Sequence, residues 1–174
     1  MVSATRYPEV SMIRSRADVA VYAPDNSLLI EVEVKTRPDA SPEWAARLLR
    51  NMVFHEAAPS APYFMLALPD AIYLWDLRDL RSYPDARLLE SGIQPDYEID
   101  AARALDPYLG SGPYSLLELG EDSLTLVVAS WLTDLSNSDF PEKEHESDAR
   151  RWLLDSGLHD AIKGGSVATE VLVP

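Results

Sequence analysis

Glu31-Val32-Glu33-Val34-Lys35 places three ionisable side chains on alternate positions of the otherwise apolar run Leu28 to Lys35. Successive side chains of a strand point to opposite faces, so Glu31, Glu33 and Lys35 share one side while Ile30, Val32 and Val34 fill the other. Charge beside a core is costly unless it is paired, and a divalent cation bound by hard oxygen ligands is one arrangement that offsets the cost. The spacing therefore predicts a strand that carries a candidate metal site.

Working backward, Ala17-Asp18-Val19-Ala20-Val21-Tyr22-Ala23 is a second β-branched run, separated from the first by the turn residues Pro24-Asp25-Asn26-Ser27. Two such runs around a short polar turn predict an antiparallel hairpin. With the turn near residues 25 and 26, Asp18 faces about residue 33, and the two carboxylates of Asp18 and Glu33 become cross-strand neighbours.

Working forward, Ser41-Pro42-Glu43 has the order of an N-cap, a first-turn proline and a first-turn acid, so a helix is expected to begin there. Trp44, Ala45, Leu48, Leu49, Met52 and Val53 form its core-facing stripe, with Arg47, Arg50 and Asn51 on the polar flank. Tyr63 to Leu68 is suited to a buried strand, and Ile72 to Asp76 to another. Strand, strand, helix, strand, strand predicts an α/β (α+β) core with a central mixed sheet flanked by helices.

The second half changes character. Helices are expected near 98–108, 121–135, 145–156 and 157–163, with a terminal strand at 169–173. One domain spanning 1–174 is expected, comprising a core over 1–92 and an acidic, mainly helical extension over 93–174 packed on it. Leu116, Leu117, Leu119, Leu124, Leu126, Val127, Val128, Trp131 and Leu132 are assigned to the core, and Trp44, Trp75 and Trp152 are read as core residues as well.

Composition narrows the function classes. The 174 residues are 47% hydrophobic and carry a net charge of −14. Residues 1–90 hold 10 basic and 13 acidic groups, whereas residues 91–174 hold 5 and 16. The acidity is lopsided, and residues 1–55 balance at 7 and 7, so the candidate site can be locally less acidic than the whole. There is no cysteine, which excludes thiol catalysis and thiolate zinc sites. No apolar run reaches the length of a membrane span, and no apolar segment follows Met1-Val2-Ser3-Ala4-Thr5-Arg6; a cytoplasmic chain without a membrane partner is expected. His55, His145 and His159 lack the spacing of a zinc-protease motif, and there is neither a Gly-x-Ser-x-Gly elbow nor a glycine-rich phosphate loop.

Asp18 at a strand start, Glu33-Val34-Lys35 on the next strand, then an amphipathic helix and an apolar strand resemble the PD-(D/E)xK nuclease superfamily, the restriction-endonuclease-like fold. Arg14-Ser15-Arg16-Ala17-Asp18 is similar to the Arg-x-Arg-Ala-Asp form of nuclease-like modules. The resemblance covers residues 10 to about 76. It implies Asp18 and Glu33 as carboxylate ligands of Mg²⁺ or Mn²⁺, with the Val34 carbonyl as an additional ligand, and Lys35 beside the attacking water or the scissile phosphate. As auxiliary groups it implies Glu31, contacting a second metal through water or pairing with Arg14 or Arg16, together with Arg47, Arg50 and Asn51 near phosphate. DNA is the expected substrate. A homodimer is a further expectation, with exposed Tyr73 or Trp75 supplying an apolar seam. Two alternatives remain open: an inactive nuclease-fold module used for binding or assembly, and a hydrolase of a small phosphate compound.

Overall fold

A computed structural model of the protein describes residues 15–55, 57–79, 93–137 and 150–173. Strand β1 (Ser15–Tyr22) and strand β2 (Leu28–Val34) form the antiparallel hairpin, turning through Asn26 in the left-handed region at φ 64°. Helix α1 (Pro42–Phe54) then crosses over to β3 (Tyr63–Ala67), which lies parallel to β2. β4 (Ala71–Asp76) returns antiparallel, and β5 (Tyr97–Asp100) pairs with it at one edge. Short helix α2 (Ala101–Leu105), two 3-10 turns at Asp106–Tyr108 and Leu116–Glu118, and the long helix α3 (Glu121–Asn137) follow. Helices α4 (Arg151–Asp155) and α5 (Leu158–Ile162) lead into β6 (Ser166–Val173), which pairs antiparallel with β1.

The strand order is β5-β4-β3-β2-β1-β6, a six-stranded mixed sheet flanked by helices, with a helical C-terminal part. The expected mixed α/β class is thus borne out. Val19, Val32, Met65 and Leu74 face α3 and build the larger core; Phe64, Leu66, Tyr73 and Trp75 face α1 and build the smaller one. β3 sits between these layers and is buried at every position, which explains why its sequence, Tyr-Phe-Met-Leu-Ala, has no polar alternation.

Helix α1 starts where its sequence predicts. Ser41 accepts a hydrogen bond from the Trp44 amide at 3.2 Å, and Pro42 occupies the first turn, where its missing N–H leaves no bond unmade. The C-terminal segment closes by close approach: the Gly164 amide donates to Ser136 O at 2.8 Å, and a Cβ on Gly165 would stand 2.3 Å from Tyr22 O. Helix α3 therefore ends beside the Tyr22–Ser166 end of the sheet.

Several expectations are corrected. The helix foreseen over 98–108 begins only at Ala101, because Tyr97–Asp100 pairs with the edge of β4 and Asp100 then caps the helix through the Arg103 amide. The terminal strand starts at Ser166 rather than 169. Tyr73 and Trp75 are 2% and 0% accessible because α1 covers them, so the core assignment of Trp75 holds and neither ring is exposed as the expected dimer seam requires. Leu117 and Leu126, assigned to the core, are exposed. Residues 145–149, the start of another expected helix, lie outside the described residues, and its remainder forms α4. Among the described residues no helix is long and apolar enough to cross a membrane.

Candidate functional site

The hairpin register sets the site. Val19 pairs with Val32 and Ala20 with Glu31, so one step along places Asp18 opposite Glu33 on the face that α1 covers. Asp18 Oδ2 accepts a hydrogen bond from the Val34 amide at 2.8 Å, which ties the acid to the strand that carries Glu33. Lys35, just past the end of β2, is anchored by its own amide to Ala67 O at 3.0 Å. Its Nζ lies 2.6 Å from Glu33 Oε1. Asp18, Glu33 and Lys35 are all half-buried.

The electrostatics are those of an acidic site around the Lys35 ammonium. Burial pushes the Glu33 carboxyl above its ordinary range; Lys35 opposes this by hydrogen bonding, and the Asp18 and Glu121 charges add to the upward push. Burial acts to lower Lys35, but the bond and charge of Glu33, with Glu121 and Asp18 behind them, hold the ammonium above its usual value. Lys35 is therefore a cation across the physiological range.

Glu121 is the residue that sequence reasoning missed. It opens α3, whose other end is pinned by the Ser136–Gly164 bond at the Tyr22 end of the sheet. Seventeen residues of helix span ~25 Å, roughly the length of the strands beneath, so the N-terminus of α3 lies toward the Asp18–Lys35 end. No local motif links Glu121 to a hairpin more than eighty positions earlier. Arg37, two residues past Lys35, holds its guanidinium 4.9 Å from the centre of the Trp44 ring.

Among the described residues, the other expected auxiliaries do not join Asp18, Glu33 and Lys35. Glu31 shares the face of Glu33 but is 4% accessible, and its carboxylate accepts from the Ser60 amide at 2.9 Å and the Ser60 hydroxyl at 3.3 Å. Arg16, one of its two anticipated partners, lies 3.1 Å from Glu170 instead, and Arg14 lies outside the described residues. Helix α1 runs back from the Lys35 end toward the start of β3, which carries Arg50 and Asn51 away from Glu33 and Lys35. Arg47 and Asn51 are exposed, and Arg50 stacks at 5.3 Å on Phe54. Among the described residues, none of these three pairs with Asp18, Glu33 or Lys35.

Among the described residues no three His, Asp or Glu side chains gather around one point. Asp18 Oδ1 and Glu33 Oε2 nevertheless carry no hydrogen bond among the described residues. Mg²⁺ commonly takes one or two carboxylates and completes its octahedron with water and phosphate oxygens, so this pair fits such an ion and does not suit a cage made of protein alone.

No protein-family model, curated protein or solved structure matches this chain.

Proposed function

We propose that the protein is a metal-dependent phosphodiesterase of the PD-(D/E)xK kind, acting on DNA. The observation that carries this reading is the register that sets Asp18 opposite Glu33 with Lys35 2.6 Å from Glu33. Two neighbouring carboxylates and an ammonium at one end of the β1–β2 pair supply what hydrolysis of a phosphate diester needs: an anionic cradle for a cation and a fixed positive charge beside it.

Asp18 and Glu33 would hold Mg²⁺ or Mn²⁺, with the Val34 carbonyl as a further donor. When bound, the ion supplies Lewis-acid polarisation of the phosphate and a more acidic water. The Val34 amide keeps the Asp18 carboxylate oriented, so little side-chain freedom is lost when it binds. Lys35 stabilises the negative charge that grows on phosphate oxygens, and its bond to Glu33 presets where that charge stands. The reading places the protein in the cytoplasm, where such a substrate is met.

A small phosphate compound is the second reading, favoured by the field around the site. Glu121 adds a negative charge near Glu33 and Lys35, and the chain carries −14 overall, which repels a long polyanion more than a short one. The deciding experiment incubates the full chain with supercoiled, linear and single-stranded DNA and with a nucleotide panel, in Mg²⁺ or Mn²⁺. Cleavage of DNA that disappears in Asp18→Ala is the expected result. Turnover of nucleotides without polymers selects the second reading. No metal-dependent hydrolysis of either, or hydrolysis undiminished in Asp18→Ala, overturns both and leaves a binding or assembly module.

A further inference from the structure

Helix α1 has a face that the core does not use. Arg47, Arg50, Asn51 and Phe54 follow the i, i+3, i+4, i+7 spacing of one helix face, opposite the buried Ala45 and Leu49. Phe54 is 53% exposed although it is large and apolar. Arg50 lies 5.3 Å from the centre of its ring, and at the other end of the helix Arg37 lies 4.9 Å from that of the half-buried Trp44. Arginine and aromatic groups thus alternate along the ~20 Å of α1.

The charge of this face is unlike that of its surroundings. Acids outnumber bases 29 to 15 in the chain, and the described cations elsewhere are engaged. Arg16 meets Glu170 at 3.1 Å, Lys35 meets Glu33, Arg78 meets Asp76 at 2.6 Å, and Arg103 lies 4.0 Å from Asp100. Arg150, Arg151 and Lys163 have partners as well. Among the described residues no acid pairs with Arg37, Arg47 or Arg50, and the Nε of Arg50 is buried without an acceptor. Glu43, the one acid of α1, stands a turn before Arg47 without pairing with it.

Three guanidinium groups without a countercharge attract an anion, and two of them are held on ring faces, which limits the freedom they lose on binding. An acidic peptide or a duplex would engage the arginines alone and leave the Phe54 ring in water. A single strand uses both, with phosphates at the guanidinium groups and bases on the aromatic rings. The face also leads somewhere: Arg37 is two residues past Lys35, and Trp44 lies in the first turn of α1. We infer that the outer face of α1 is a docking track for single-stranded DNA, with its near end at the candidate site; that destination rests on the nuclease reading, whereas the affinity for the strand does not.

The test follows the fluorescence anisotropy of a labelled oligothymidylate of ~12 nucleotides as the full chain is added in EDTA, where no metal-dependent cleavage occurs, beside a labelled duplex and labelled poly-glutamate. Saturable binding of the single strand is expected with Kd of order 10–100 µM at about 25 mM salt, and three phosphate contacts give a log–log salt slope of about −2. Arg37→Gln and Arg47→Gln should each make that slope shallower by ~0.7, and Phe54→Ala should raise Kd ~5-fold or more without changing it. Arg47 and Phe54 are exposed, so these variants keep the fold. Arg103→Gln changes net charge equally but lies outside the track, and should leave Kd within ~2-fold. A duplex or poly-glutamate bound as tightly as the single strand, Arg47→Gln no more harmful than Arg103→Gln, or no saturable binding up to ~1 mM overturns the assignment. Cleavage of DNA without this binding removes the track and leaves the nuclease reading standing; binding without cleavage keeps the track and removes its destination.

Discussion

Glu31 and Glu33 stand two residues apart on one face of one strand, yet the protein treats them in opposite ways. Glu31 is closed in and answered by the amide and hydroxyl of Ser60. Glu33 is half-buried and shares its surroundings with two further acids and a single lysine. The first arrangement holds a buried carboxylate by the fixed dipoles of Ser60. The second concentrates charge at the end of a strand and keeps carboxylate oxygens in reserve. Proximity on a strand therefore says which side chains share a face, while the loop or helix arriving at each position decides whether a charge is structural or available.

The largest effect that would break this contrast is on turnover. Lys35→Ala is expected to reduce metal-dependent hydrolysis by ~100-fold or more while Tm stays near that of the parent, because the loss falls on charge stabilisation. A variant of full activity would place Lys35 with Glu31, as a structural charge. Next, Glu31→Ala leaves the half-buried Ser60 amide without its acceptor and should cost about 1–3 kcal/mol in urea unfolding, with activity per folded molecule retained. Loss of activity without loss of stability would merge the two ends of β2 into one site.

A smaller effect concerns pH. Because Glu33 is raised by burial and by neighbouring acids, its folded form binds a proton more readily than the unfolded chain does. Stability from this group is full below its ordinary value of 4.5 and is lost as pH rises through its raised folded value. Glu33→Gln should accordingly raise Tm slightly at about pH 7, and the gain should vanish near about pH 4, where Glu33 is itself protonated. A Tm lowered at neutral pH would show that the bond to Lys35 outweighs burial. Smallest of all is Arg16→Ala: its pair with Glu170 is exposed on both sides, so stability should change by less than ~0.5 kcal/mol.

Local chemistry made much of the fold readable. The turn at Pro24–Ser27 and the β-branched runs beside it determine the hairpin, and with it the register that sets Asp18 opposite Glu33. Ser41-Pro42 marks the start of α1 because capping uses neighbouring residues. β5 was harder: four residues give too little alternation to outweigh a helical pattern next to them, and their pairing needs the open edge of β4. The expectation of an exposed seam at Tyr73 and Trp75 fails for a related reason, since their burial comes from α1, an element earlier in the chain. Trp131 and Trp152 were assigned correctly to apolar surroundings, but no sequence pattern reveals that their rings also border a cavity.

By itself the sequence determined the alternation that puts Glu31, Glu33 and Lys35 on one face, the turn that faces Asp18 to Glu33, and the capped helix that follows. These depend on backbone geometry over a few residues and on a period of two. Only the tertiary structure decided that Ser60 satisfies Glu31, that Glu121 comes within electrostatic reach of Lys35, and that β6 joins the sheet beside β1. Such pairings join residues far apart in the chain, and they form because burying both faces of one sheet leaves each charge only the partners that packing delivers.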